Sequence, residues 1–370
     1  MKPSHILCHW VKALRKVFPR LSKPQLFVLG AFSLGLAWSG KCTLAKIAQQ
    51  LWFLGSLPTV ERRLQRFLAN AQVDWQDQAG CLAGWVLPLV LAGRASAAQK
   101  PVVLLVDETA LGEHLKIMVV ALAYRGHALP LAWWCYPQAE YPLPQVELID
   151  RLLGQVAAVL PAGTPVLVEA DRGLGCSPDL IEKVEQRHWF YLFRVQNSVR
   201  LRLAGGREVS FGQQVPQAGR SWTGEVQAFK KAGWTACRAL GYWKVGQREP
   251  WLLLSNWPQA TTAHYAVRMW EEHGFRDLKS NGLNWQRSHV YLPAHANRLW
   301  LVMALAYAWV TSLGTQVLER AAWWRQLAHG PKERMGVFQL GLRLLARWLA
   351  MGKELVYELH FKSQFLPCLP

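Results

Sequence analysis

Apolar residues change their spacing twice along the chain, and each change marks a region. Up to about residue 98 the spacing is helical. PQLFVLGAFSLGLAW (24–38) is apolar on nearly all sides, as a buried helix is. TLAKIAQQLWFLG (43–55) starts at a cap residue, Thr43, and closes at Gly55. In TVERRLQRFLAN (59–70), Val60, Leu64, Phe67 and Leu68 recur at helical spacing. At about 100° per residue, Arg62, Arg63 and Arg66 then project from the opposite side. A short turn between two helices, the second with an arginine face, is the arrangement of a helix-turn-helix DNA reader. AGRASAAQK (92–100) reads as a linker.

The period then shortens. PVVLLVD (101–107), LKIMVVALA (115–123) and HALPLAWWC (127–135) read as three strands with short connections, the last two joined by a YRG turn, an antiparallel meander. PQVELIDRLLGQVAAVL (144–160) is a helix, TPVLVEAD (164–171) a strand, SPDLIEKVEQR (177–187) a helix and HWFYLFRV (188–195) a strand. The order βββ-α-β-α-β, with an aspartate ending the first and fourth strands, is that of a ribonuclease H-like α/β fold. Short strands and turns fill 196–258, and the remainder is mainly helical and basic. The expected division is a helical DNA-binding domain (1–98), the first part of the core (99–195), a β-rich insertion (196–258), the rest of the core (259–315) and a helical C-terminal region (316–370).

Charge narrows the function. A formal net charge of +18, with only 18% of residues charged, describes a folded protein with basic surfaces. Its expected partner is a polyanion, nucleic acid ahead of an acidic membrane. Met1–Arg20 has no clean apolar block, so no secretory signal is expected. LWLVMALAYAWVTSLG (299–314) falls short of the roughly 20 residues of a membrane span and reads as a buried helix. Seven widely spaced cysteines with no CxxC pattern fit a reducing cytoplasm.

Three carboxylates stand out. Asp107 and Asp171 each end a hydrophobic strand, where an aspartate ordinarily caps or turns the chain. If those strands are neighbours, however, the two carboxylates can share a divalent cation. Few hard oxygen ligands with open positions suit Mg²⁺, and two such ions support in-line displacement at phosphorus. YAVRMWEEHGFRDLK (265–279) offers a third acid. Counted at about 100° per residue, Tyr265, Arg268, Glu272 and Lys279 fall within roughly a 60° arc, with Arg276 close by. Val267, Trp270, Gly274 and Leu278 lie opposite, and Glu271 projects with them, which makes Glu272 the better ligand candidate. On any exposed helix the same stripe would be two i,i+4 pairs, Arg268–Glu272 and Glu272–Arg276.

The spacing Tyr-(2)-Arg-(3)-Glu-(6)-Lys, met by Tyr265, Arg268, Glu272 and Lys279, resembles the YREK signature of DDE transposases of the bacterial insertion-sequence-four class. VDET (106–109) and ADRGLG (170–175) resemble that family's two aspartate strands, and the likeness covers roughly residues 100–300. It implies that Asp107, Asp171 and Glu272 bind metal, with Glu108 and Glu169 as alternative ligands. Two Mg²⁺ ions are expected, with Mn²⁺ able to substitute. Tyr265, Arg268, Arg276 and Lys279, with the arginines of 59–70, would contact double-stranded DNA. The implied chemistry is nicking at the terminal inverted repeats, attack by the freed 3′-OH and strand transfer into target DNA, by a homodimer in the synaptic complex. A metal-dependent nuclease and a domesticated DNA-binding protein are the alternatives. HANR (295–298) with Tyr307 or Tyr357 is a fragment of the tyrosine-recombinase pattern. Trp285 and Trp300 are candidates for stacking on a flipped base, with core packing the competing role.

Overall fold

The computed structural model describes residues 2–92, 94, 100–328 and 335–367. Most of the expected linker at 92–100, its domain boundary and Cys368 lie outside the described residues. The six described cysteines are all free.

Five helices form the N-terminal region: α1 (Pro3–Arg15), α2 (Lys23–Ser39), α3 (Leu44–Gln50), α4 (Leu57–Ala69) and α5 (Trp75–Leu91). Helix α2 begins at a capping box on Ser22 and stops at Gly40, whose φ of 58° is left-handed. Thr43 sits at the start of α3 but caps nothing; its hydroxyl donates to the Arg287 carbonyl, 3.1 Å away. In α4, Val60, Leu64, Phe67 and Leu68 are buried, as their spacing predicts.

One ten-stranded sheet organises the rest of the described residues. Its strands are β1 (Val102–Leu111), β2 (Leu115–Tyr124), β3 (His127–Pro137), β4 (Val166–Ala170), β5 (Phe190–Arg194), β6 (Arg200–Arg202), β7 (Glu208–Ser210), β8 (Ser221–Ala228), β9 (Thr235–Tyr242) and β10 (Trp251–Ser255). They lie in the order β3-β2-β1-β4-β5-β10-β9-β8-β6-β7. Helices α6 (Gln145–Ala157) and α7 (Pro178–Glu185) are the crossovers around β4. The meander β1-β2-β3 is antiparallel, whereas β1-β4 and β4-β5 are parallel. This mixed order is consistent with a ribonuclease H-like fold. The strands of 196–258 continue the same sheet, because β10 pairs antiparallel with β5.

Helix α9 (Pro293–Glu319) runs through the interior, followed by α10 (Ala321–Leu327) and α11 (Val337–Ala350). At 27 residues α9 is long and apolar enough to cross a membrane, more than the apolar run alone indicates. Its apolar stretch is wholly buried in the protein, which makes it a core helix. Gly314 and Gly341 let α9 and α11 approach closely: a Cβ on either would meet a backbone oxygen of the other helix at 1.8 Å.

Candidate active site

Parallel pairing of β1 with β4 sets the two aspartates side by side. Val106 pairs with Ala170, and the next residues are Asp107 and Asp171. Asp171 leaves the sheet because its carboxylate turns the chain, with Oδ1 accepting the N–H groups of Gly173 (2.9 Å) and Leu174 (3.2 Å). Gly175 completes the turn where a Cβ would meet the Arg194 carbonyl oxygen at 2.6 Å. Asp107, by contrast, does not end its strand. Strand β1 continues to Leu111 against β2, with Asp107 opposite Val119. The hydrophobic run stops at Asp107, but its antiparallel partner does not.

The segment 265–279 is not one uniform helix. A 3₁₀ stretch (His264–Arg268) leads into α8 (Met269–Arg276), and a π-helical turn (Asp277–Asn281) ends it. The stripe is therefore partly redistributed. Arg268 donates to Asp107 Oδ2 at 2.7 Å and lies 3.9 Å from Glu272, and Lys279 donates to Thr109 Oγ1 at 2.9 Å. Tyr265 is buried, edge-on to Trp251 with ring centroids 5.4 Å apart. Arg276 turns away to a separate cavity with Arg125 and His273.

Glu271 and Glu272 divide sharply. The Glu272 side chain is 52% exposed, whereas Glu271 is fully buried. The helical count places Glu271 on the packed side, but not that this side faces the aspartates. Burial pushes the Asp107 carboxyl up to about 6; Arg268 pulls it back, and Asp171 and Glu272 add to the rise. Burial also holds Glu271 well above the usual carboxylate range, helped by Asp107 and Asp171. Glu169 is raised in the same way by burial, with Arg268 opposing. Among the described residues, neither Glu169 nor Glu271 has a hydrogen-bond partner on either carboxylate oxygen, and Arg268 Nε also has none. Burial lowers the Arg268 guanidinium, but Asp107 and Glu271 outweigh it. Glu108 is differently placed: Lys116 at 2.7 Å, Tyr136 at 2.6 Å and Tyr141 satisfy it.

Several other candidates resolve into structure. Trp285 and Trp300 are completely buried and pack edge to face, 5.1 Å between centroids, so both are core. Arg298 donates to the carbonyls of Val73, Leu68 and Ala294, stitching the N-terminal helices to α9. Tyr307 is buried against Asp277. Arg62, Arg63 and Arg66 line a shallow cleft of about 300 Å³ on α4.

Among the described residues, no three His, Cys, Asp or Glu side chains close around a metal position. The donor set still fits a hard divalent cation. Asp107 and Asp171 are adjacent, and the buried carboxyl groups of Glu169 and Glu271 have no hydrogen-bond donors, leaving oxygens that a bound cation would satisfy. Arg268, bonded to Asp107, partly fills that role.

A sequence model of the family described as "Transposase DDE domain" matches residues 142–309. The match takes in Asp171 and the whole of 265–279 and leaves Asp107 outside. It supports a DDE transposase domain over that stretch. None of the curated proteins compared with the chain matches it.

Proposed function

We propose that the chain is a cut-and-paste DNA transposase of the insertion-sequence-four class, acting in the bacterial cytoplasm through its YREK residues. One observation carries the reading: neighbouring parallel strands deliver Asp107 and Asp171 to the same point, against which Arg268 and Lys279 are laid.

Asp107, Asp171 and Glu272 would hold divalent metal, two Mg²⁺ ions with Mn²⁺ able to substitute. Bound metal supplies activation of the attacking oxygen and stabilisation of the leaving one. The chain's own groups do the positioning. Arg268 is bonded to a single Asp107 oxygen, and a DNA phosphate offers its planar fork a competing bidentate partner. End binding would draw Arg268 from Asp107 and free that carboxylate. Lys279, on Thr109 beside it, is a point charge for an adjacent phosphate. Arg62, Arg63 and Arg66 on α4 would grip the duplex of a terminal inverted repeat, and a homodimer would bring two ends together before transfer into target DNA.

Glu272→Gln should abolish Mg²⁺-dependent cleavage of the DNA flanking the gene and leave binding of that DNA largely intact. Unimpaired cleavage by this variant refutes the assignment. Cut ends that never join a second DNA would reduce the activity to that of a nuclease.

A further inference from the structure

The row of strand ends that delivers the two aspartates does not stop at Asp171. Strand β5 runs parallel to β4 with Phe193 opposite Ala170, so Arg194 comes next in the line Asp107, Asp171. Neighbouring strands lie about 4.8 Å apart. Arg172, the residue after Asp171, reaches the same place from the turn. Both guanidiniums meet on one carboxylate: Glu249 Oε2 accepts from Arg172 at 2.7 Å and Oε1 from Arg194 at 2.6 Å. Burial raises the Tyr265 hydroxyl, and Arg268 and then Arg194 oppose the rise, so Arg194 acts on the same side chain as the partner of Asp107.

Glu249 comes from the 243–250 link between β9 and β10, whose residues 244–249 are all exposed. Its side chain is 47% exposed and that of Arg172 52%, whereas Arg194 is 19%. An ion pair so open to water holds weakly, worth at most about fivefold in an equilibrium constant. Two arginines closing on the two oxygens of a carboxylate also match the two free oxygens of a phosphodiester. Both groups carry a single negative charge, so exchanging one for the other leaves each guanidinium bonded.

We propose that Arg172 and Arg194 form a seat for a DNA phosphodiester beside Asp171, and that Glu249 fills this seat until DNA displaces its carboxylate. The proposal rests on the transposase reading: the occupant is a phosphate of the strand whose neighbouring phosphate lies at the two aspartates. Glu249 is then a built-in competitor of DNA, carried to the edge of the acid cluster by the β9–β10 link.

Fluorescence anisotropy over a salt series tests the exchange, with a labelled duplex from the DNA flanking the gene and EDTA present so that nothing is cut. Glu249→Gln should tighten binding about threefold to fivefold, because the seat then opens without breaking an ion pair. The double variant Arg172→Gln/Arg194→Gln should weaken binding about tenfold and lower the salt slope by about 0.9, the share of one phosphate. Adding Glu249→Gln to that double variant should gain nothing. Where the double variant misfolds, Arg172→Gln alone, on an exposed side chain, carries the same comparison. A bridge that only braces the link predicts no gain from Glu249→Gln, and a gain that survives loss of the arginines is net charge alone. Either result, with wild type binding normally, overturns the seat alone. A wild-type protein that binds no duplex overturns it together with the transposase reading.

Discussion

Two buried acid–base pairs flank α8, and they are built on opposite principles. Asp277 with His127 forms a closed network: the pair is less than 10% exposed, and Tyr307 and Gln339 occupy what His127 leaves. Asp107 with Arg268 is nearly as buried, at 14% and 10%, yet its surroundings are open-ended. Glu169, Glu271 and Arg268 Nε lie next to it without partners. A satisfied network fixes a fold. Unsatisfied buried polar groups are a stored cost, one that the proposed metal would offset.

Breaking the open site should remove chemistry first. Asp171→Asn should reduce cleavage at least about 10³-fold while the protein stays folded by circular dichroism; residual cleavage within tenfold of wild type would place the reaction elsewhere. Breaking the closed network should instead cost stability. Asp277→Ala takes the shared acceptor from His127 and Tyr307 and leaves them only their long 3.4 Å contact with each other, so urea unfolding should show a loss of about 3 kcal/mol. A loss below about 1 kcal/mol would mean the network is not closed in solution.

The reverse is expected of Glu271. Its folded pKa is raised, so the folded state binds the proton more tightly than the unfolded chain, and stability falls as pH climbs past the ordinary glutamate range. At pH 8, Glu271→Met should therefore raise stability, by about 1–2 kcal/mol. Destabilisation would show that Glu271 has a partner in solution. The smallest effect concerns pH directly. Asp107 must be ionised to hold metal, and burial sets its pKa at about 6. Mn²⁺ affinity, by titration calorimetry, should hold above that pH and weaken about tenfold from pH 6 to pH 5; a flat profile would exclude Asp107 as a ligand.

The same contrast explains what the sequence could disclose. Strands β1 to β5 and their two crossover helices were legible because each is a local run with its own period. The two aspartates were legible as chain ends of apolar runs. That β1 runs on through Glu108–Leu111 was not, since those residues, half-buried as far as Ala110, are held by β2, a non-local partner. A single 100° step per residue misses the 3₁₀ and π stretches around α8, and so does not hold for Tyr265 and Lys279 relative to Glu272. Attachment of β10 to β5 is likewise a matter of pairing, invisible to periodicity. The burial of Glu271 was readable from its helical face; the acids it would meet there were not.

The central claim is that the open site cuts and joins DNA with divalent metal. Its most direct test is wild-type protein incubated with a plasmid carrying the gene's own flanking DNA and a second plasmid, with Mg²⁺ or with EDTA. The account predicts breaks at both flanks with 3′-OH ends and joining to the second plasmid, all abolished by EDTA. Breaks that persist in EDTA, or intact flanks in Mg²⁺ despite tight binding, would contradict it.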